Sequence, residues 1–141
     1  MKHKKIVLSF LSFLMFLGST SVMAANASNS CSGYFTAGNS VLYRLISGQS
    51  PVNKMLYVDT TFACNEGTCF YGILQTDRGT RDVIDGHFDN GSFYFARLIR
   101  NDDGRGWKKI LHHQGNCDRG YAEGEFFESS RDILGRFVLM Y

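Results

Sequence analysis

Asp89-Asn90-Gly91-Ser92 lies between two runs in which apolar and polar residues alternate. Asn-Gly in that setting demands a two-residue type I′ hairpin, because both central residues need positive φ. The turn sets a register: Phe88 faces Phe93, Gly86 faces Phe95 and Ile84 faces Arg97 on one side, while His87 faces Tyr94 and Asp85 faces Ala96 on the other. The first side is aromatic and aliphatic and the second mixed to polar, the pattern of a half-buried antiparallel pair.

The rest of the chain repeats this rhythm. Turn clusters recur at Gly48-Gln49-Ser50-Pro51, Asn65-Glu66-Gly67, Asp77-Arg78-Gly79, Asn101 to Gly104, Gly115-Asn116 with Asp118-Arg119-Gly120, and Ser129-Ser130. Aromatic and β-branched runs separate them, as in an all-β meander. Strands are expected over roughly 40–46, 55–63, 69–75, 82–89, 92–100, 107–113, 120–128 and 134–141. Residues 33–36 admit a short additional strand, and Asn39 could instead cap a short helix through Ile46.

Glycine recurs beside large apolar residues at period two, in Phe70-x-Gly72-x-Leu74, Ala122-x-Gly124-x-Phe126 and Gly135-x-Phe137-x-Leu139. Glycine within a strand permits bending and close backbone approach. Several such strands suggest a sheet curled until it closes, which also removes exposed edges. The expected fold is therefore all-β: an antiparallel up-and-down barrel of about eight strands, with a two-sheet sandwich as the alternative. The segment Ile84 to Arg97, followed by Gly124-Glu125-Phe126 and Gly135-Arg136-Phe137, resembles the strand rhythm of calycin-type barrels, the lipocalins and avidins. That resemblance spans roughly the last 60 residues and implies a barrel. It carries over no binding residues, since Trp107 is the only tryptophan and the avidin tryptophan set is absent.

The N-terminus has the three parts of a secretory signal: Lys2, Lys4 and Lys5, an apolar stretch from Ile6 to Leu17, then small residues ending in Val22-Met23-Ala24. Residues 1–24 are read as a leader cut after Ala24, leaving one domain over 25–141, secreted or periplasmic, of bacterial type and without a transmembrane span. The chain has 15 Lys and Arg against 13 Asp and Glu. Loss of the three leader lysines leaves 12 against 13, a net charge of −1, which argues against a nucleic-acid partner. An even number of cysteines in an exported chain reads as disulfides. Cys64 with Cys69, and Cys31 with Cys117, is the favoured pairing, with Asn65 to Thr68 as a four-residue loop between facing cysteines.

No motif specifies a reaction, so no catalytic residue, metal or cofactor is assigned. His112 and His113 are adjacent and point to opposite faces of a strand. Glu123 and Glu125 share a face and could form a carboxylate pair, but Lys109 is expected beside Glu125 across the hairpin, which makes a solvated outer face the simpler account. The alternating end Gly135, Phe137, Leu139, Tyr141 is like the last strand of an outer-membrane barrel, yet the strands are shorter than the roughly 9–11 residues such barrels use.

Three functional readings follow. The first is a non-enzymatic binding protein holding a small apolar or amphipathic ligand in an aromatic-lined barrel, with Phe88, Phe93, Phe95, Phe126 and Phe137 as lining and Arg97 as polar anchor, or else as an end-closing arginine stacked on a ring. The second is a protein-interaction factor, such as an inhibitor or virulence-associated protein, acting through loops near Trp107. The third is a small secreted enzyme.

Overall fold

A computed structural model describes residues 31–46, 53–118, 120–128 and 132–141. The expected leader, residues 1–24, and its expected cleavage site lie outside the described residues. Eight antiparallel strands close into a barrel in chain order: β1 (Ser40–Leu45), β2 (Asn53–Cys64), β3 (Gly67–Thr76), β4 (Arg81–Asp89), β5 (Ser92–Arg100), β6 (Trp107–Cys117), β7 (Ala122–Phe127) and β8 (Ile133–Met140), with β8 pairing back onto β1. The β4–β5 register is the one Asn90-Gly91 requires, with Phe88 opposite Phe93, Gly86 opposite Phe95 and Ile84 opposite Arg97. Asn90 has φ 51°, as a type I′ turn needs.

The interior is solid aromatic packing. Phe70, Phe95 and Phe137 are fully buried, and Phe88 and Phe93 nearly so. Their partner is a residue that no strand carries. Cys31–Gly33 forms a short 3₁₀ turn, and the residues after it, 33–36, which admitted a short extra strand, instead turn into one end of the barrel. Phe35 there stacks on Phe70 at 4.8 Å, lies 5.0 Å from Phe93 and 5.8 Å from Phe88, and is wholly buried. Neighbouring Tyr34 packs edge-on against Tyr141 at 4.7 Å and donates its hydroxyl to the Asp118 carbonyl. This plug is pinned by the Cys31–Cys117 disulfide, which joins residues 86 apart in sequence.

The second disulfide is Cys64–Cys69, in the expected pairing but not in the expected loop. Cys64 pairs with Gly67 and Cys69 with Phe62, so the turn is the two residues Asn65-Glu66 and the bond runs diagonally across the hairpin. Gly67 makes this tight turn because it takes φ 110°, a value a side chain disfavours.

Three irregularities break the alternation among the described strands. One lies between Val58 and Thr60 of β2 and one between Phe126 and Phe127 of β7. In the third, Ala96 pairs with His112 and Arg97 with Ile110, so Leu111 is the extra residue, at φ 50°. The β6–β7 register corrects one expectation. Lys109 sits opposite Leu98 and reaches Asp85 at 3.7 Å, while Glu125 lies opposite Gln114.

Gly115 and Gly124 face each other across β6 and β7. A Cβ at Gly115 would lie 2.1 Å from the Glu123 carbonyl oxygen, and one at Gly124 would lie 2.3 Å from that of Gln114. The strands thus approach more closely than any side chain allows. Gly115→Ala is expected to destabilise the fold by about 1–3 kcal/mol. A lowered urea midpoint at unchanged slope would show it, and an unchanged midpoint would mean that the two strands are not so close.

Candidate functional site

The five phenylalanines expected to line a lumen are brought together, but against one another. Phe93 and Phe95 stack at 6.1 Å, Phe137 meets Phe95 edge-on at 6.0 Å, and Phe126 packs partly buried at the margin of the same core. Phe35 completes the cluster. Eight-stranded barrels are just wide enough for side chains to fill, and this one is filled.

Arg97 leaves the strand beside inward-facing Ile84, near the end of the barrel opposite the plug. Its side chain is 40% exposed, and its Nε lies 3.1 Å from Asp82 Oδ1. Its partner is therefore a carboxylate and not a ring. Trp107 is 51% exposed at the base of β6, with the Arg100 guanidinium 4.6 Å over its ring.

The two adjacent histidines do face opposite ways, mid-strand and not at a strand end. His113 is 1% exposed, stacked on Phe95 at 4.3 Å and bonded through Nε2 to the Tyr43 hydroxyl at 3.3 Å. Its Nδ1 has no well-formed hydrogen bond among the described residues. Burial drives its pKa down to about 3, against the upward pull of the Leu111 backbone and with further lowering by Lys54. The ring is neutral at ordinary pH. Outward-facing His112 shares a 2.5 Å hydrogen bond between its Nδ1 and the Tyr94 hydroxyl, and burial together with the Asp85 charge raises the Tyr94 phenol.

A concavity lies on the outside of the wall. It is a trough of about 680 Å³ crossing β4 to β8, and the Gly115–Gly124 pair is part of its lining. Two cross-strand rows build it. One runs His87, Tyr94, Gln114, Glu125, Arg136, and the other runs Asp89, Ser92, Asn116, Glu123. Glu66, Asp118 and half-exposed Tyr121 stand at its margin. Arg136 Nη2 is 3.6 Å from Glu123 Oε1, with both side chains about half exposed. Glu123 and Glu125 therefore share an outer face, as expected, but with Arg136 as the nearby cation in place of Lys109.

The trough was not recognised as a site from sequence. Its residues are ordinary outward positions on five strands, and only strand order joins them. The signal within reach was the outward, period-two set Gln114, Asn116, Glu123, Glu125 flanking two glycines.

The wall around the trough is polar, whereas Tyr57, Phe62, Tyr71 and Val83 are exposed on β2 to β4. No helix among the described residues is long and apolar enough to cross a membrane. Among the described residues, the grouping with metal-ligand spacing is Cys64, Glu66 and Cys69, and both of its sulfurs are committed to a disulfide. No known family, curated protein or solved structure matches the chain.

Proposed function

We propose that this chain is an exported, non-enzymatic protein-interaction factor that binds its partner on the outside of a solid barrel. The observation that carries this reading is the placement of space: the aromatic interior is occupied by its own side chains and by Phe35, while a 680 Å³ concavity lined with polar groups opens on the outer wall. Two disulfides and the N-terminal leader pattern support export to an oxidising compartment. A rigid, disulfide-pinned scaffold presents a fixed surface, so little ordering entropy opposes binding.

One observation favours the lumen reading instead. Arg97 and Asp82 sit on the interior side at the unplugged end, and Lys54 reaches over the Tyr43 ring at 5.7 Å, next to buried His113. A small acidic amphiphile could meet that end by displacing rings.

Site-specific photocrosslinking separates the readings. A photoreactive residue at Gln114, in the trough, is expected to crosslink a protein in the medium the chain is exported to, and the same probe at Thr80, at the opposite end, is expected to give none. Crosslinks from Thr80 alone would overturn the outer-trough reading.

A further inference from the structure

We propose that the trough is a docking site for a basic peptide segment of a partner protein, an inference that rests on the outer-surface reading above and narrows it. Carboxylates on a surface are usually just solvated, and these alone would mean nothing. Here they stand around a depression whose volume falls within the roughly 300–1,000 Å³ of ligand clefts. Its lining includes the backbone of Gly115 and Gly124.

The chemistry of the lining then selects the occupant. Gln114 and Asn116 point into the middle of the trough with no side-chain hydrogen bond among the described residues. Primary amides offer both donors and acceptors, which match a peptide main chain. Asp89 and Glu66 stand on one side and Glu123 and Glu125 on the other, with Arg136 as the one Lys or Arg among the described lining residues, itself 3.6 Å from Glu123. Tyr121, 45% exposed, adds a ring that can cover a Lys or Arg stem or accept its charge.

The charge is also concentrated, although the net charge of −1 conceals this. At the other end of the barrel, in or beside the β3–β4 and β5–β6 connections, Asp77, Asp82, Asp102 and Asp103 are offset by Arg78, Arg81, Arg100, Arg105 and Lys108, so the acidic excess lies at the trough end. A cleft lined by one sign focuses the field and raises the local concentration of an opposite charge. Carboxylates flanking free amides thus describe a segment with an extended main chain and two or three Lys or Arg side chains.

The test is an NMR titration of the mature, disulfide-bonded chain with acetylated, amidated tetra-arginine, using tetra-glutamate and spermine as controls. Saturable shifts are expected at Gln114, Asn116 and Glu123 to Glu125, with affinity falling at least about tenfold between roughly 20 and 200 mM salt. Glu123→Gln with Glu125→Gln is expected to weaken binding at least about tenfold, while Asp102→Asn with Asp103→Asn, the same charge removed from the opposite end, changes it less than about twofold. Unchanged shifts elsewhere in the spectrum confirm that both variants fold. Non-saturable shifts, shifts spread over all acidic residues, or equal effects of the two double variants would overturn the proposal. Spermine binding as tightly as the peptide would reduce the trough to a simple cation site and overturn it too. A Gln114 crosslink to an acidic partner would sink this inference while leaving the outer-surface reading intact.

Discussion

Phe35→Ala is expected to destabilise the protein by about 3–5 kcal/mol, the range for deleting a fully buried phenylalanine ring. The residue lies outside every strand, in a segment that sequence periodicity does not mark, so a surface-loop account would expect almost no effect. Its ring nonetheless touches four of the barrel's phenylalanines, with centroids from 4.8 Å to Phe70 out to 6.4 Å to Phe95. Alanine would leave a cavity where the plug meets the core, and the rigid wall cannot collapse to close it. Urea unfolding measures the loss. A change below about 0.5 kcal/mol, the usual scale for surface substitutions, would mean that the plug does not occupy the interior.

Stability is expected to fall steeply in mild acid, and His113 is the reason. In the folded chain burial lowers its pKa to about 3, while in the unfolded chain the ring titrates near its ordinary 6.5. Between those values the unfolded state binds a proton that the folded state refuses, so unfolding becomes easier as pH falls. The His113 contribution is fully present above pH ~6.5 and is lost at about 1.4 kcal/mol per unit as pH drops toward ~3. His113→Leu, close in volume and unable to take a proton, is expected to remove that slope even where it lowers stability at neutral pH through the lost stack on Phe95 and the lost bond to Tyr43. Parallel stability–pH curves for the two chains from pH 7 to 4 would show that His113 is not buried in its neutral form.

These two residues mark where the sequence stops being legible. Asn90-Gly91 carries its instruction locally, which is why the β4–β5 register can be read residue by residue. Strand positions follow from turn residues and period-two alternation, and they agree with the structure to within a few residues. Both cysteine pairings could be read because one pair sits across a short hairpin and only two cysteines then remain. Phe35 could not be placed, because its partners lie on β3, β4 and β5 and no pattern near residue 35 announces them. Leu111 is the subtler failure. Nothing about leucine signals a left-handed φ, yet this one residue resets the faces of β6 and turns Lys109 toward Asp85. The trough was hidden for a topological reason. Gln114, Glu125 and Arg136 are neighbours only once β6, β7 and β8 are known to be adjacent, and a sandwich with the same strands could have separated them.

The placement of Arg97 shows how far alternation alone reaches. It correctly assigns Arg97 to the side that Phe93 and Phe95 share. It cannot tell that the position lies near the barrel end, where a long side chain is 40% exposed and meets Asp82 from the neighbouring strand.

Native mass spectrometry of the mature chain, exported with its disulfides intact and compared with its denatured spectrum, tests the filled barrel most directly. The account predicts a bare chain in the native spectrum, beginning at Ala25 and lighter by the four protons lost in forming the Cys31–Cys117 and Cys64–Cys69 bonds. An additional mass held in the native spectrum and released on denaturation would contradict it, and would return the lumen and Arg97 to the centre of the function.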